Sequence, residues 1–418
     1  MYTVWYMNYP TTPTLEGHYE QLLGLIKPWK VETINLDMER LKLDISVRWE
    51  PGNNAPCPVC DKPCSVRDHR ETRQWRHLDT MQFQTTIITD IPRIDCPEHG
   101  VKSIPVPWAG EHSRFTMLFE RFAIDVLKGA KNITKAKELL RLSWDQVHLI
   151  QHHAVERGLS RRTDESILHA GMDEKNFGKG HSYVSLLTDI DRSRVMDVVR
   201  DRTTEAAETL WKTLPKAQRS SIVSVSMDMW EAFMNAAKSA VPQAEIVHDK
   251  FHVVSYLTKA VDLVRRKENS TLIKAGNDLL KGTKYLWLMN PDHFGKDEKQ
   301  VFKSFALDQL KVGKAWTVKE AFQVFWMYAY RGSALKFFTR WYFWATHSRL
   351  KPVIEAAKTL KRHLEGLLAY LKYHVTNAVT EGLNSIIQSI KANARGFRNF
   401  QNYRIAILFH CGKLSLYP

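Results

Sequence analysis

The sequence predicts a multidomain α/β protein built around a mixed sheet. Three observations point there. First, residues 167–173, 183–189 and 195–199 are short apolar runs of strand-forming composition. A helical pattern at 204–214, a strand at 222–228, a second helix and a strand at 244–248 follow them. Three strands in succession and then alternating strand and helix make a mixed-sheet pattern. Second, two pairs of metal-ligand residues, Cys57-Pro-Val-Cys60 and Cys96-Pro-Glu-His99, lie upstream. Third, residues 113–158 read as three short helices between those pairs and the sheet.

Bulk properties bound the function. The chain has 418 residues, 44% of them hydrophobic, enough for several cores. A formal charge of +15 and a pI near 9.4 favour a polyanionic partner, most often nucleic acid. No apolar run reaches the roughly 20 residues needed to span a bilayer, so no membrane partner is expected. Residues 1–10 lack a basic segment followed by an apolar one, which predicts no secretory signal and a cytoplasmic protein. Four of the five cysteines fall between Cys57 and Cys96, which points to a metal site in a reducing compartment rather than to disulfides.

Residues 1–50 read as a lead-in segment, in which Leu41-Lys-Leu-Asp-Ile-Ser-Val-Arg-Trp49 alternates as a strand before Pro51-Gly breaks it. Residues 51–104 hold the ligand pairs. Two intervening residues let both members of a pair reach one tetrahedral ion. Residues 82–90 supply a strand-like hairpin between the pairs. Together they resemble a zinc ribbon with Cys57, Cys60, Cys96 and His99 as ligands. Cys64 competes with Cys60 in another register, and His69 and His77 are spare candidates. Four protein ligands leave no open position, so the Zn2+ is expected to be structural. Binding would supply on the order of 10 kcal/mol to a module too small to bury enough apolar surface alone.

The next module spans residues 113–160. Phe115, Leu118, Phe119, Phe122 and Val126 recur at helical spacing; Asn132 and Ser143 are placed to cap the second and third helices. The last two resemble a helix-turn-helix, whose second helix enters the major groove. Lys135, Lys137 and Arg141 are candidate phosphate contacts, and Gln146 and Gln151 candidate base readers. A three-helix spacer without DNA contact is the alternative.

Within residues 166–250, two strands end in aspartate: Ala170-Gly-Met-Asp173 and Ile222-Val-Ser-Val-Ser-Met-Asp228. A late helix in residues 371–418 carries Glu381, in Thr376-Asn-Ala-Val-Thr-Glu381-Gly-Leu-Asn-Ser. Three such carboxylates can hold two Mg2+ or Mn2+ ions against a phosphodiester, which on a basic chain suggests phosphoryl transfer on DNA. A solvated surface charge is the alternative for Glu381. Glu174 is expected on the opposite side of its strand from Asp173. Asp249 and His252 form an Asp-x-x-His pair near the same sheet edge. They fit an orienting pair, a DNA contact or an auxiliary ligand, with a helix cap at Asp249 equally open. Lys391, Arg395 and Arg398 continue the Glu381 helix and are candidate phosphate contacts. Residues 251–370 look almost entirely helical, and their many aromatics are expected in a core.

Cys57-Pro-Val-Cys60, Cys96-Pro-Glu-His99-Gly, Met172-Asp-Glu174, the Asp228 strand, Asp249-Lys-Phe-His-Val-Val254, Thr380-Glu-Gly-Leu-Asn384 and Ala394-Arg-Gly-Phe-Arg-Asn-Phe400 occur in one order along the chain. Over nearly its whole length the chain resembles bacterial insertion-sequence transposases of the "ISL-three" type. The resemblance implies a ribonuclease-H-like catalytic domain with an Asp-Asp-Glu triad at Asp173, Asp228 and Glu381. It also implies an all-helical insertion before the glutamate helix. The zinc ribbon and helix-turn-helix would read inverted-repeat ends of double-stranded DNA. The enzyme would cut those ends and join 3′-hydroxyls to target DNA, with two divalent ions per site and as a homodimer on DNA. A non-enzymatic DNA-binding regulator and a nuclease that does not join ends are the rival readings.

Overall fold

A computed structural model describes residues 14–163, 165–178, 182–375 and 378–418. Residues 1–13, 164, 179–181, 376 and 377 lie outside the described residues. Two compact units form: one holds the residues up to Arg162 together with Leu414–Pro418, the other Thr163–Lys413.

The first unit begins with helix α1 (Leu15–Leu22) and strands β1 (Trp29–Asp37) and β2 (Lys42–Trp49). Short strands β3 (Ala55–Pro56) and β4 (Pro63–Cys64) follow, then β5 (Val66–Arg76), β6 (Gln84–Cys96) and β7 (Gly100–Ser103). The sheet runs β1-β2-β6-β5, with β7 on β6. Two expectations change here. Residues 82–90 are not a hairpin of their own but the first part of the long β6, antiparallel to β5. Thr85, Ile87, Thr89 and Ile91 alternate inward without a turn residue to interrupt them. The lead-in is also not separate, because β2 pairs in parallel with β6. Its Trp29 packs edge-on against Trp49 and Trp108, at 5.3 and 5.0 Å between ring centroids, and Trp75 packs on Trp108. The metal ribbon thus shares an aromatic core instead of relying on zinc alone.

Helices α2 (Met117–Ala130), α3 (Ile133–Leu140) and α4 (Trp144–Ser160) complete this unit. Thr116, Asn132 and Ser143 cap them through their side chains, the last in a reciprocal capping box with Gln146. Leu414–Pro418 fold against these helices. Leu416 is buried and its carbonyl accepts from Arg157 Nη1 at 3.0 Å. The Tyr417 hydroxyl donates to Asp125 Oδ1 at 2.6 Å and accepts from Lys128 Nζ at 2.9 Å.

In the second unit, β8 (His169–Asn176), β9 (Tyr183–Asp189) and β10 (Arg194–Arg200) form an antiparallel meander. Helices α5 (Thr204–Lys212) and α6 (Lys216–Ser221) lead to β11 (Ser224–Met227), and α7 (Glu231–Ala240) leads to β12 (Glu245–His248). β11 runs parallel to both β8 and β12, which gives the order β10-β9-β8-β11-β12. Seven helices follow: α8 (Lys250–Lys274), α9 (Lys284–Leu288), α10 (Lys296–Lys303), α11 (Lys311–Phe322), α12 (Arg331–Thr346), α13 (Lys351–Arg362) and α14 (Leu364–Tyr373). Phe322, Phe325, Phe338 and Trp341 form their core, as expected of most of these aromatics. Helices α15 (Ala378–Asn393) and α16 (Phe400–Cys411) close the unit. Among the described residues, no helix is long and apolar enough to cross a membrane.

His77 makes the first unit sensitive to acid. Its Nδ1 lies 2.9 Å from Thr116 Oγ1, whose oxygen already accepts from Phe119 N to cap α2. The cap leaves the hydroxyl proton free, and an unprotonated Nδ1 can accept it. Burial, helped by the charge of Arg76, lowers the His77 pKa to about 4. Above pH 6.5 the ring is neutral folded and unfolded, so nothing changes. Between 6.5 and 4 only the unfolded chain takes up the proton, so stability falls by roughly 3 kcal/mol in all and then levels off. Thermal melts of the parent and of His77→Gln across that range should show this loss in the parent and its absence in the variant.

Candidate functional site

Asp173 sits in β8 and Asp228 just past the end of β11, on adjacent parallel strands. Both line a cavity of about 90 Å³ with Glu174 and His252, walled by Trp230 and Phe233. It has room for an ion and water. Burial pushes the Asp173 carboxyl above its ordinary range, and the negative charge of Asp228 adds to this; Lys175, 4.0 Å away, opposes it. Glu174, expected on the far side of the strand, lines the same cavity. Its carboxyl is also raised, chiefly by burial, although Arg202 Nη1 donates to Oε1 at 2.7 Å. Glu174 Oε2 is buried with no hydrogen-bond partner. His252 Nε2 lies 2.8 Å from Asp228 Oδ1, and that contact raises the imidazole pKa. The Asp-x-x-His pair divides its roles: His252 meets Asp228, while Asp249 Oδ1 caps α8 by accepting from Phe251 N at 2.6 Å.

Helix α15 is drawn tightly onto β8. An added Cβ at Gly171 would come within 2.4 Å of Thr188 Oγ1 and 2.7 Å of Thr380 Oγ1, so only glycine permits this approach. The two threonine hydroxyls meet at 3.2 Å. One turn on, buried Asn384 donates through Nδ2 to Asp173 Oδ2. Glu381 itself is exposed and lines a different cavity, of about 440 Å³, with Asp249, Lys250, Lys319 and Tyr370. Asp173 and Asp228 are thus together, and Glu381 is on the helix that touches Asp173 but does not line their cavity. Asn384 shares the polar stripe of Glu381 in the sequence, one turn on, but without a role of its own; Arg202 carries no local signal.

The ribbon ligands converge. One donor atom from each of Cys57, Cys60, Cys96 and His99 lies within 4.8 Å of every other. Cys60 Sγ and Cys96 Sγ are 3.7 Å apart, and Cys96 Sγ and His99 Nδ1 3.6 Å. Three sulfurs and one imidazole are a zinc donor set, and Cys57 and Cys96 are buried. The backbone N–H of Glu98, then His99, lowers the Cys96 thiol to about 6. Cys64 falls outside the set and donates to Lys62 O at 3.3 Å.

The expected DNA contacts fare unevenly. Lys135 is exposed and pairs loosely with Glu138 at 3.4 Å. Arg141 donates to Gln82 O at 3.0 Å and pairs with Asp79 at 3.1 Å, so it fastens α3 to the strand module. The Gln146 amide oxygen is occupied in the capping box, accepting from Ser143 N at 2.9 Å. Gln151 is 3% exposed, on the inner face of α4, which corrects its expected role as a base reader. Lys391 Nζ donates to Asn176 O at 2.7 Å and holds α15 to β8, so it too is engaged. Arg395 and Arg398 are exposed.

Three family models match the chain. A zinc-finger of transposase IS204/IS1001/IS1096/IS1165 covers residues 53–99, a helix-turn-helix domain of transposase family ISL3 covers 104–155, and a transposase model covers 170–407. Among curated relatives, the transposase for insertion sequence element IS1001 of Bordetella parapertussis is 24% identical over 355 residues, 84% of this chain and 87% of that protein. The transposase for insertion sequence element IS1557 of Mycobacterium tuberculosis is 25% identical over 414 residues, 92% of each chain.

The ligand geometry makes a metal-content prediction. Purified chain should carry one zinc; Cys60→Ser and Cys96→Ser should lose it, while Cys64→Ser keeps it. Zinc retained by Cys60→Ser and lost by Cys64→Ser would reverse the assigned register.

Proposed function

We propose, on the premise that the chain belongs to the ISL3 transposase family, that it is a divalent-metal DNA transposase. It binds the inverted-repeat ends of an insertion sequence, cleaves them and joins the 3′-hydroxyls to target DNA. The observation that carries this is the meeting of Asp173 and Asp228 in one small cavity, with α15 tied to Asp173 by Asn384. The order β10-β9-β8-β11-β12, antiparallel in its first three strands and parallel in the rest, supports a ribonuclease-H-like reading of the catalytic unit.

The donor chemistry fits Mg2+ or Mn2+. Hard carboxylate oxygens suit these ions, and the partnerless buried Glu174 Oε2 leaves a lone pair without a proton donor. Asp173 and Asp228 would hold the ions. Glu381 is the only carboxylate on α15 and would be the third ligand. Bound ions would lower the pKa of the attacking hydroxyl or water and neutralise the phosphate. His252 holds Asp228 in place, and Arg202 fixes Glu174.

The chemistry balances without an external energy source. In cleavage, a water oxygen bonds to phosphorus, the 3′-oxygen leaves and takes a proton. In joining, that 3′-hydroxyl attacks a target phosphodiester, and the target's own 3′-oxygen leaves. One phosphodiester is exchanged for another. The zinc ribbon and helix-turn-helix would hold the ends, and synapsis of two ends calls for a homodimer on DNA.

In a cleavage assay on end-bearing DNA with Mg2+, Asp173→Asn, Asp228→Asn and Glu381→Gln should each lose at least about 100-fold in rate. End binding should stay at the parent level. Asn384→Ala should fall by less. Full cleavage by Glu381→Gln would remove that residue from the site, and cleavage without joining by the parent would leave a nuclease.

A further inference from the structure

We propose that the outward face of α12 binds an unpaired DNA strand, its bases stacking on Phe343 and Trp344 and its phosphates meeting Lys336, Arg340 and Arg349. The inference rests on the reading of the chain as a DNA-processing enzyme and adds a surface that this reading does not assign.

The face is cleanly divided. At 100° per residue, Lys336, Arg340, Phe343, Trp344 and His347 fall on one side of the helix axis, opposite Ala334, Phe338, Trp341 and Ala345, which are all buried. Phe343 is 64% and Trp344 38% exposed, on the same side of the helix as Lys336 and Arg340. Phe343 is already stacked on His347, with centroids 4.0 Å apart at 28°, and this leaves its outer surface open to a second ring.

The charge is equally one-sided. No aspartate or glutamate occurs between Glu320 and Glu355. In that stretch Arg331 is the one arginine or lysine with a carboxylate partner, Glu365, among the described residues. Lys336, Arg340, Arg349 and Lys351 are exposed and have no ion pair there. Unneutralised cations interleaved with exposed rings are the combination that binds single strands: cations follow the backbone, and rings take base faces that duplex stacking hides. A protein partner would have to place a carboxylate against each of four cations, whereas a nucleic-acid strand carries a phosphate at every nucleotide. From Lys336 to His347 the face extends about 16 Å, room for two or three nucleotides.

The test uses the full chain, a single strand of roughly 20 thymidines and a random-sequence duplex, followed by fluorescence anisotropy at several salt concentrations. Lys336→Ala with Arg340→Ala should weaken binding to the single strand and reduce the slope of log K against log salt by about 1.4. Phe343→Ala with Trp344→Ala should cost at least about 5-fold on the single strand and leave that slope and the duplex affinity unchanged. Arg340→Lys should retain the parent slope. All four substituted positions are exposed, and unchanged melting midpoints verify folding.

Parent-like binding of the thymidine strand by both double variants overturns the proposal. So does an equal loss on duplex and single strand with the aromatic pair removed, or a change only in self-association measured by sedimentation. Metal-dependent cleavage of end DNA by the parent is scored separately. Its absence would sink the transposase reading, while the strand-binding result would still decide the role of this face.

Discussion

The like charge of Asp173 and Glu174, which lie within β8 rather than at its end, and of Asp228, just past β11, partly removed from water, is the constraint that organises the catalytic unit. Desolvation and mutual repulsion both favour protonation, as the raised carboxyls of Asp173 and Glu174 record. The surroundings oppose this one group at a time. Asn384 and Lys175 address Asp173, Arg202 addresses Glu174, and His252 addresses Asp228. Each neighbour offsets part of the cost. At Asp173 and Glu174 the net shift stays upward, and Glu174 Oε2 stays without a donor. A site that keeps carboxylates in this state favours binding of cations over a closed salt-bridge network.

Much of this arrangement could be read from the sequence, for identifiable reasons. The strands of the meander, β11 and β12 were visible because their apolar runs are short and bounded by turn residues. The zinc ligands were visible because their spacing is a chemical requirement. What escaped depends on contacts distant in sequence. Pairing of β2 with β6 joins residues 42–46 to 84–88, and nothing local in the lead-in announces it. Gln151 looked like an exposed polar residue on a reading helix; only the packing of α4 shows it inside. Lys391 and Arg141 looked like free cations, and their carbonyl partners Asn176 and Gln82 lie 215 and 59 residues away. Glu174 reaches the cavity although β8 keeps an unbroken register with β9 from Ala170 to Asn176; the Asp173 carboxylate turns back to accept from Glu174 N at 2.7 Å, and both side chains line one cavity.

The seven-helix segment between the second aspartate and the glutamate raises a physical question: how a long excursion returns its chain to a site that tolerates little displacement. Both of its ends are fastened to the same strand. Asp249, directly after β12, caps α8 and fixes the departure. On return, α14 lies along β12. A Cβ at Gly366 would come within 2.3 Å of the His248 ring, so the helix and strand are as close as a side chain allows. Lys372 pairs with Glu245, and Tyr373 OH donates to Glu245 Oε1 at 3.1 Å. The segment thus leaves and rejoins the sheet at one place, while Lys250 of α8 and Lys319 of α11 line the cavity that Glu381 of α15 enters. The outer face of α12 does not line it and carries a charge pattern of its own. Its residues answer to whatever they bind, while the position of Glu381 answers to β12, Thr380 and Gly171.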